Sequence, residues 1–247
     1  MAVTIIPFVF PGVPRVRCAF QTREGGASAG PFAAGNISMD VGDAASAVLA
    51  NRKALLAACG VRQWRELRQV HGDAMDCDPA PTDPALPGEV AGDGHATARP
   101  GVALAIKTAD CQPLLLAHAS GRYVAALHVG WRGNRIGFIG SAVAALCARY
   151  GVSPADLHAV RGPSLGPANS EFVHFDQEWG AGFSNYFDAF SQTMDLWRLT
   201  RDQLAAAGLL PANIHSLDRC TLADAAFFSY RRDRACGRQA SLIWIEP

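Results

Sequence analysis

Apolar and polar positions change period several times along this chain, and each change marks an element. The apolar stretch Val3 to Phe10 is interrupted by Pro7 and followed by Pro11, and reads as a strand. A further strand region covers Val16 to Thr22, and a Gly-rich loop follows to Gly30. From Ala44 to Cys59 the positions Val48, Leu49, Leu55, Leu56 and Cys59 share one face of a helix, which Gly60 stops. Leu67 to Val70 reads as a short strand that delivers His71, and residues 76–94, rich in Pro, Asp, Ala and Gly without periodicity, read as a surface loop. Val102 to Lys107 is a strongly apolar strand. Pro113 to His118 and Tyr123 to Val129 pair as a hairpin across Ser120-Gly121. Ile136, Ile139, Val143, Leu146 and Cys147 form the stripe of a helix from Arg135 to Tyr150, ended by Gly151. Beyond Leu157 to Val160 comes a loop with Gly162-Pro163 and Gly166-Pro167. A helix from Leu196 to Ala207 ends at Gly208, and the strands Phe227 to Tyr230 and Ala240 to Ile245 close the chain. With no repeat or linker, the expectation is one domain over residues 1–247, an α/β (α+β mixed) fold with mixed sheets and helices outside.

Composition narrows the function classes. The chain has 247 residues, 49% of them hydrophobic, enough for a substantial core. Lys+Arg and Asp+Glu are equal at 22 each, so no nucleic acid and no anionic membrane is expected as partner, since both need a strong basic field. Lysine occurs only at Lys53 and Lys107, so arginine, suited to bidentate recognition of phosphate or carboxylate, supplies most of the cations. The seven cysteines are irregularly spaced, without a CxxC pair, and form no disulfide framework. No run reaches membrane-spanning length and no basic leader precedes the first strand, so a cytoplasmic setting is expected. Nothing in the sequence bears on oligomeric state.

Three residues stand where chemistry begins. His71, Cys111 and His128 each occupy a short stretch that runs into a loop: Gln69-Val70-His71-Gly72, Thr108-Ala109-Asp110-Cys111 and His128-Val129-Gly130-Trp131-Arg132-Gly133. Two imidazoles and one thiolate would fill three corners of a tetrahedron and leave the fourth open, as a catalytic zinc requires. If the hairpin turns at Ser120-Gly121, His128 faces position 113. Cys111 then lies two residues away on the same face, at the hairpin's open end. A one-residue slip would undo this. Spacing alone also admits a packed cysteine and satisfied core histidines.

The chain as a whole resembles a known family. The stretches that carry the likeness include Phe20-Gln21-Thr22-Arg23-Glu24-Gly25-Gly26, Asn51-Arg52, the three stretches above and Gly162-Pro163. Cys220-Thr221, Phe228-Ser229-Tyr230-Arg231-Arg232 and Gly237-Arg238-Gln239 complete them. Together, in this order, they are similar to the laccase-domain, or multicopper polyphenol oxidoreductase-like, family. Its bacterial members are described as purine nucleoside phosphorylases and as a peptidoglycan editing factor. The resemblance implies zinc on His71, Cys111 and His128, which would be both metal ligands and catalytic residues. It implies a layered α-β-β-α sandwich similar to the catalytic domain of a cytotoxic necrotizing toxin. It implies phosphorolysis of adenosine, inosine, guanosine and methylthioadenosine, with adenosine deamination as a further activity. The chain departs from the pattern at Val129, where alanine is frequent, and over Ser164 to Ser170, which lacks the cysteines many members carry.

Beyond the three ligands, Arg23 and Arg132 are candidates for holding phosphate and Asn36 for binding the nucleoside. Asp93 and Asp110 are candidates for orienting an imidazole or moving a proton, and Trp131 for stacking on a base. Three rivals stand beside this reading. One is a copper-dependent polyphenol oxidase, since two His and a Cys also suit copper. Another is a thiol hydrolase or peptidoglycan editing factor with Cys111 as nucleophile and His128 as base. The last is a binding protein whose zinc site is closed by a fourth ligand such as His95.

Overall fold

A computed structural model describes residues 2–247. The N-terminal half runs β1 (Val3–Phe8), β2 (Val16–Gly25), α1 (Ala45–Cys59), β3 (Gln63–Glu66), β4 (Met75–Cys77), β5 (Gly94–Thr97), β6 (Val102–Thr108), β7 (Gln112–His118) and β8 (Val124–Val129). There follow α2 (Trp131–Arg135), α3 (Phe138–Tyr150), β9 (Leu157–Arg161), α4 (Phe175–Glu178), β10 (Phe187–Asp188), β11 (Thr193–Met194), α5 (Leu196–Ala206), β12 (Ile214–Ser216), α6 (Tyr230–Asp233) and β13 (Gln239–Ile245).

The strands form two mixed sheets, ordered β1-β2-β13-β6-β3 and β12-β9-β7-β8-β5-β4. Each is antiparallel in its interior and carries a parallel pair at an edge, β3 on β6 in one and β12 on β9 and β4 on β5 in the other. The continuous apolar runs are explained by burial on both faces. In β7, Leu115 and Ala117 face the other sheet while Leu114 and Leu116 face the helices; in β13, Ile243 faces the other sheet and Leu242 faces α1. Phe20, Leu104, Ile106, Leu115 and Val160 fill the space between the sheets. Helix α1 covers the five-stranded sheet through Leu55 and Leu56, and α3 and α5 cover the six-stranded one through Phe138, Ile139, Leu146 and Leu204. The order of layers is therefore helix, sheet, sheet, helix. A separate aromatic cluster of Phe172, Trp179, Met194, Leu196 and Leu199 packs against Trp131 beside the six-stranded sheet.

The hairpin register is the expected one: Pro113 pairs with His128 and Ala117 with Val124. Four expectations are corrected. The helix over Arg135 to Tyr150 is two helices, because Gly137 adopts φ +75° and breaks the turn; Ile136 is left exposed instead of joining the buried stripe. Phe227 to Tyr230 is not a strand. Phe227 and Phe228 are plugs with no exposed surface, and Gln239 bonds the backbone of Phe228 from both sides of its amide. Ser229 then caps α6 by accepting from the Arg232 N–H. Leu67 to Val70 is not a strand either, since β3 ends at Glu66. The stretch 76–94 contains most of β4 and the first residue of β5.

The buried face of α1 also carries charge. The Arg52 guanidinium, with no exposed surface, pairs with Glu66, which also pairs with Lys107. Arg52 further donates to the carbonyls of Ile37 and Leu86. Such a network fixes α1, β3, β6 and two loops at once, and removing one partner strands a buried charge.

Candidate metal centre

The three candidate residues arrive from different parts of the sandwich. His128 is in β8 of the six-stranded sheet, Cys111 in the crossing from β6 to β7, and His71 beyond β3 of the five-stranded sheet. Their donor atoms nevertheless lie within 4.8 Å of one another, with Cys111 Sγ 3.8 Å from His71 Nε2. His128 is buried, Cys111 half-buried and His71 exposed, so the cluster opens to solvent on one side.

Asp93 makes this convergence possible. It has no exposed surface, and its Oδ1 lies 2.7 Å from His128 Nδ1. The same carboxylate accepts the backbone N–H groups of Val70, His71 and Gly72 at 3.2, 2.9 and 2.7 Å. One side chain thus orients one imidazole and clamps the loop that carries the other. The clamp holds His71 at φ +60°, a left-handed conformation that costs a non-glycine residue on the order of 1 kcal/mol. Burial works against the Asp93 charge, but His128 and the Gly72 and Val70 amides more than offset it and keep the carboxyl below its usual range. An ionised carboxylate only accepts, so His128 Nδ1 carries the proton and Nε2 is directed to the cluster.

Upstream, Gln69 replaces the missing strand: its Oε1 accepts the Lys107 N–H and its Nε2 donates to the Lys107 carbonyl, both at 2.8 Å. Downstream of β8, Gly130 leaves the necessary room. A Cβ there would stand 3.0 Å from His71 Cδ2 and 3.1 Å from Cys111 Sγ.

The donor set fits a transition metal. A thiolate and two imidazoles suit zinc or copper and not magnesium or calcium, which take oxygen donors. A tetrahedral zinc places its ligand atoms roughly 3.3–3.6 Å apart, so small side-chain movements suffice. Among the described residues no fourth His, Cys, Asp or Glu joins the group. His95 is fully buried, its pKa is lowered to about 3 by burial and by Arg65, and neither ring nitrogen has a partner. The residues are also strongly polarised without a metal. Burial pushes the Cys111 thiol up, yet the neighbouring His128 and His71 imidazoles outweigh it and bring it to about 6. Burial disfavours charge on His128, while Cys111 and Asp93 raise it to about 9.

The cluster sits at the junction of two clefts. The larger, about 620 Å³, is lined by Arg68, Lys107, Arg132 and Arg238. The smaller, about 280 Å³, is lined by Trp131, Phe172, Leu196, Arg231 and Arg234. His71, Cys111, Arg132 and Tyr230 border both.

Arg132 therefore stands at the centre, its guanidinium 4.5 Å from the Trp131 ring. Arg23 and Asn36 line neither cleft. Arg23 stacks on Phe228 and donates to the Ala33 carbonyl. Asn36 is fully buried: its amide donates to Ser38 and Asp43, and its oxygen accepts from Ser38 and Arg238. Both are braces, and Asn36 acts at one remove by holding the segment that presents Arg238. Asp110 faces away from the imidazoles, accepting from the Thr221 hydroxyl and the Arg231 N–H. Arg68, Phe172, Tyr230 and Arg238 escaped a reading by function, because they sit in stretches with no period and no ligand spacing. Tyr230 and Arg238 do lie inside stretches that carry the family likeness, which gave them no role, and Arg68 and Phe172 have no sequence signal of their own.

Comparison with known proteins gives a consistent result. Residues 17–246 match a family model described as multi-copper polyphenol oxidoreductase laccase. The chain is 37% identical over 238 residues to purine nucleoside phosphorylase Rv2149c of Mycobacterium tuberculosis, covering 94% of this chain and 93% of that one. It is 36% identical over 248 residues to purine nucleoside phosphorylase PA4543 of Pseudomonas aeruginosa, covering 96% of each. Among solved structures it is similar to Neisseria meningitidis protein NMB0706, with a TM-score of 0.85 and 30% identity, over 98% of this chain and 99% of that one.

Proposed function

The chain belongs to the multi-copper polyphenol oxidoreductase laccase family, and from that membership we propose that it is a zinc-dependent purine nucleoside phosphorylase. The observation that carries the proposal is the convergence of His71, Cys111 and His128, braced by Asp93, where two clefts meet. That curated relatives bear the name purine nucleoside phosphorylase supports it. The substrates in this reading are adenosine, inosine, guanosine and methylthioadenosine, with deamination of adenosine as a second activity. Residues 1–247 act as one unit, with the layer order of the necrotizing toxin's catalytic domain.

In phosphorolysis a phosphate oxygen forms a bond to C1′ of the ribose as the bond from C1′ to the purine nitrogen breaks, and the departing purine takes up a proton. His71, Cys111 and His128 would hold the zinc, which when bound supplies Lewis-acid and water-activating chemistry. Arg132 holds phosphate at the junction by charge-assisted hydrogen bonds. Trp131, Phe172 and Tyr230 pack the purine, and Arg231 offers it N–H donors. Asp93 keeps the proton on His128 Nδ1, so the Nε2 lone pair stays directed at the centre.

The test incubates the protein with adenosine, with and without phosphate, and separates the products. Adenine and ribose 1-phosphate should form only with phosphate, and hypoxanthine or inosine should report deamination. His71→Ala and Cys111→Ala should each lose at least about 100-fold of the rate, as loss of a metal ligand implies. Full activity in either variant removes the site assignment, and stoichiometric copper in place of zinc favours the oxidase.

The polarised Cys111–His128 pair favours a second reading, a thiol hydrolase with Cys111 as nucleophile. Because the thiol loses its proton near pH 6, metal-free protein should be alkylated at Cys111 with a half-maximal rate at about pH 6, against about 8.5 for an ordinary cysteine. Zinc should abolish that alkylation. If zinc protects Cys111 while catalysis persists, the thiol mechanism is excluded.

A further inference from the structure

The chain as a whole is electrically balanced, with 22 residues of each sign, yet five of the arginines that make no ion pair stand together around one place. Among the described residues, no carboxylate lies within ion-pair distance of Arg68, Arg132, Arg231, Arg234 or Arg238. All five border the two clefts at the three-residue cluster. The other cation of the larger cleft, Lys107, is neutralised by Asp40 and Glu66. The side chains of Arg231 and Arg238 donate to backbone carbonyls, and the smaller cleft's one carboxylate, Asp110, accepts from the Thr221 hydroxyl and the Arg231 backbone N–H, so five guanidiniums face the clefts against that single carboxylate and the Asp40 paired with Lys107. Arg234 and Arg238 flank the Tyr230 ring at 5.6 and 5.9 Å from its centroid, so the ridge between the clefts is itself cationic.

This excess exceeds what the proposed reaction requires. A nucleoside is neutral, and a phosphate group carries about −1.5 to −2 at neutral pH. One orthophosphate engages one or two guanidiniums in bidentate fashion. Clustered like charges repel and destabilise the fold, so an uncompensated group of arginines facing concave surface is matched to anionic ligand. Resting on the phosphorylase reading for its purine half, the charge count points to a second phosphoryl group on the substrate. The 2′, 3′ and 5′ oxygens of a nucleoside can each carry one without blocking C1′ or the purine, and the 5′ oxygen, on its exocyclic methylene, reaches farthest from the reacting carbon into a second cleft.

We infer that the two clefts together bind purine nucleoside 5′-phosphates in preference to free nucleosides. The purine lies against Trp131, Phe172 and Tyr230 in the smaller cleft. The 5′-phosphate lies between Arg68 and Arg238 in the larger one, with Arg132 at the junction shared between it and the orthophosphate.

The experiment is calorimetric titration of the metal-loaded protein with adenosine, adenosine 5′-monophosphate and adenosine 5′-diphosphate. At about 50 mM salt the monophosphate should bind at least about tenfold tighter than adenosine, and the diphosphate tighter still. The advantage should fall severalfold at about 0.5 M salt. Arg68 and Arg132 are exposed and carry no ion pair, so Arg68→Ala/Arg132→Ala should fold, which its melting curve checks, and should bring the advantage to within about threefold. Arg122→Ala removes the same charge from a guanidinium that stacks on Tyr123 outside both clefts, and should leave the preference unchanged. A monophosphate that binds no tighter than adenosine overturns the inference. So does an advantage that survives the double substitution, or one lost equally in Arg122→Ala. Failure of the phosphorylase reading looks different: adenosine would remain uncleaved while the monophosphate preference held.

Discussion

At the scale of single residues, the site depends on small geometric tolerances. Gly130 is extended, at φ −76° and ψ 173°, a conformation open to any residue, so glycine is there for space and not for backbone freedom. Gly130→Ala should therefore keep the fold, changing stability by no more than about 1 kcal/mol at this helix-capping position. Its methyl group would press on both His71 and Cys111, and metal affinity should fall at least about tenfold, as for other disturbances next to a ligand. Competition with a chromophoric chelator measures this, and wild-type affinity would show that Gly130 does not set the spacing. Residue chemistry was the most legible level of the sequence. His71, Cys111 and His128 announce themselves by type and by standing where strands run into loops. Arg23 and Asn36 look as functional as Arg132 in the sequence, and nothing local says that Arg23 stacks on Phe228 or that Asn36 is sealed inside a loop.

At the scale of elements, side chains stand in for backbone at decisive points. The chain stops pairing with β6 after Glu66, and Gln69 continues that ladder with its amide, holding both polar groups of Lys107. This lets residues 70–72 turn away from the sheet and wrap the Asp93 carboxylate. Gln69→Ala leaves two partly buried backbone groups without partners and should cost about 1–3 kcal/mol in a urea titration. Because the same segment carries His71, metal affinity should drop with it. If stability falls and affinity does not, the clamp by Asp93 alone positions His71. The helices α1 and α5 were readable because one-sided burial imposes a period, and β6 and the β7–β8 hairpin because burial on both faces leaves a continuous apolar run between turn residues. The break at Gly137 and the coil over 227–229 were not. The first is a glycine whose sign of φ depends on what packs after it, and the second is a pair of phenylalanines buried without a strand.

At the scale of the whole molecule, the cluster is a bridge between layers. His71 follows the five-stranded sheet, His128 belongs to the six-stranded one and Cys111 lies in the connection between them. A metal held by all three binds the folded protein and not the open chain, so it stabilises by mass action. At about 1,000 times its dissociation constant the gain is about 4 kcal/mol. For a chain of this length that is roughly 8–16 °C in melting temperature. Calorimetric scans with zinc and with a chelator should differ by that amount, and coincident scans would mean that the three donors do not act as one tight site.

The sequence by itself determined which residue types are available for chemistry, where periodic burial makes helices and strands, and the hairpin register that sets Cys111 beside His128. Those properties are local, fixed by side-chain period and turn chemistry over a few residues. Only the tertiary structure decided that His71 meets the other two, that Asp93 serves both imidazoles, and that five arginines scattered over 170 positions, from Arg68 to Arg238, face the same pair of clefts. Each of these depends on how two sheets stack through Phe20, Leu104, Ile106 and Leu115. That stacking is driven by non-directional burial of apolar area, which leaves no residue-level mark of which loops it will bring together.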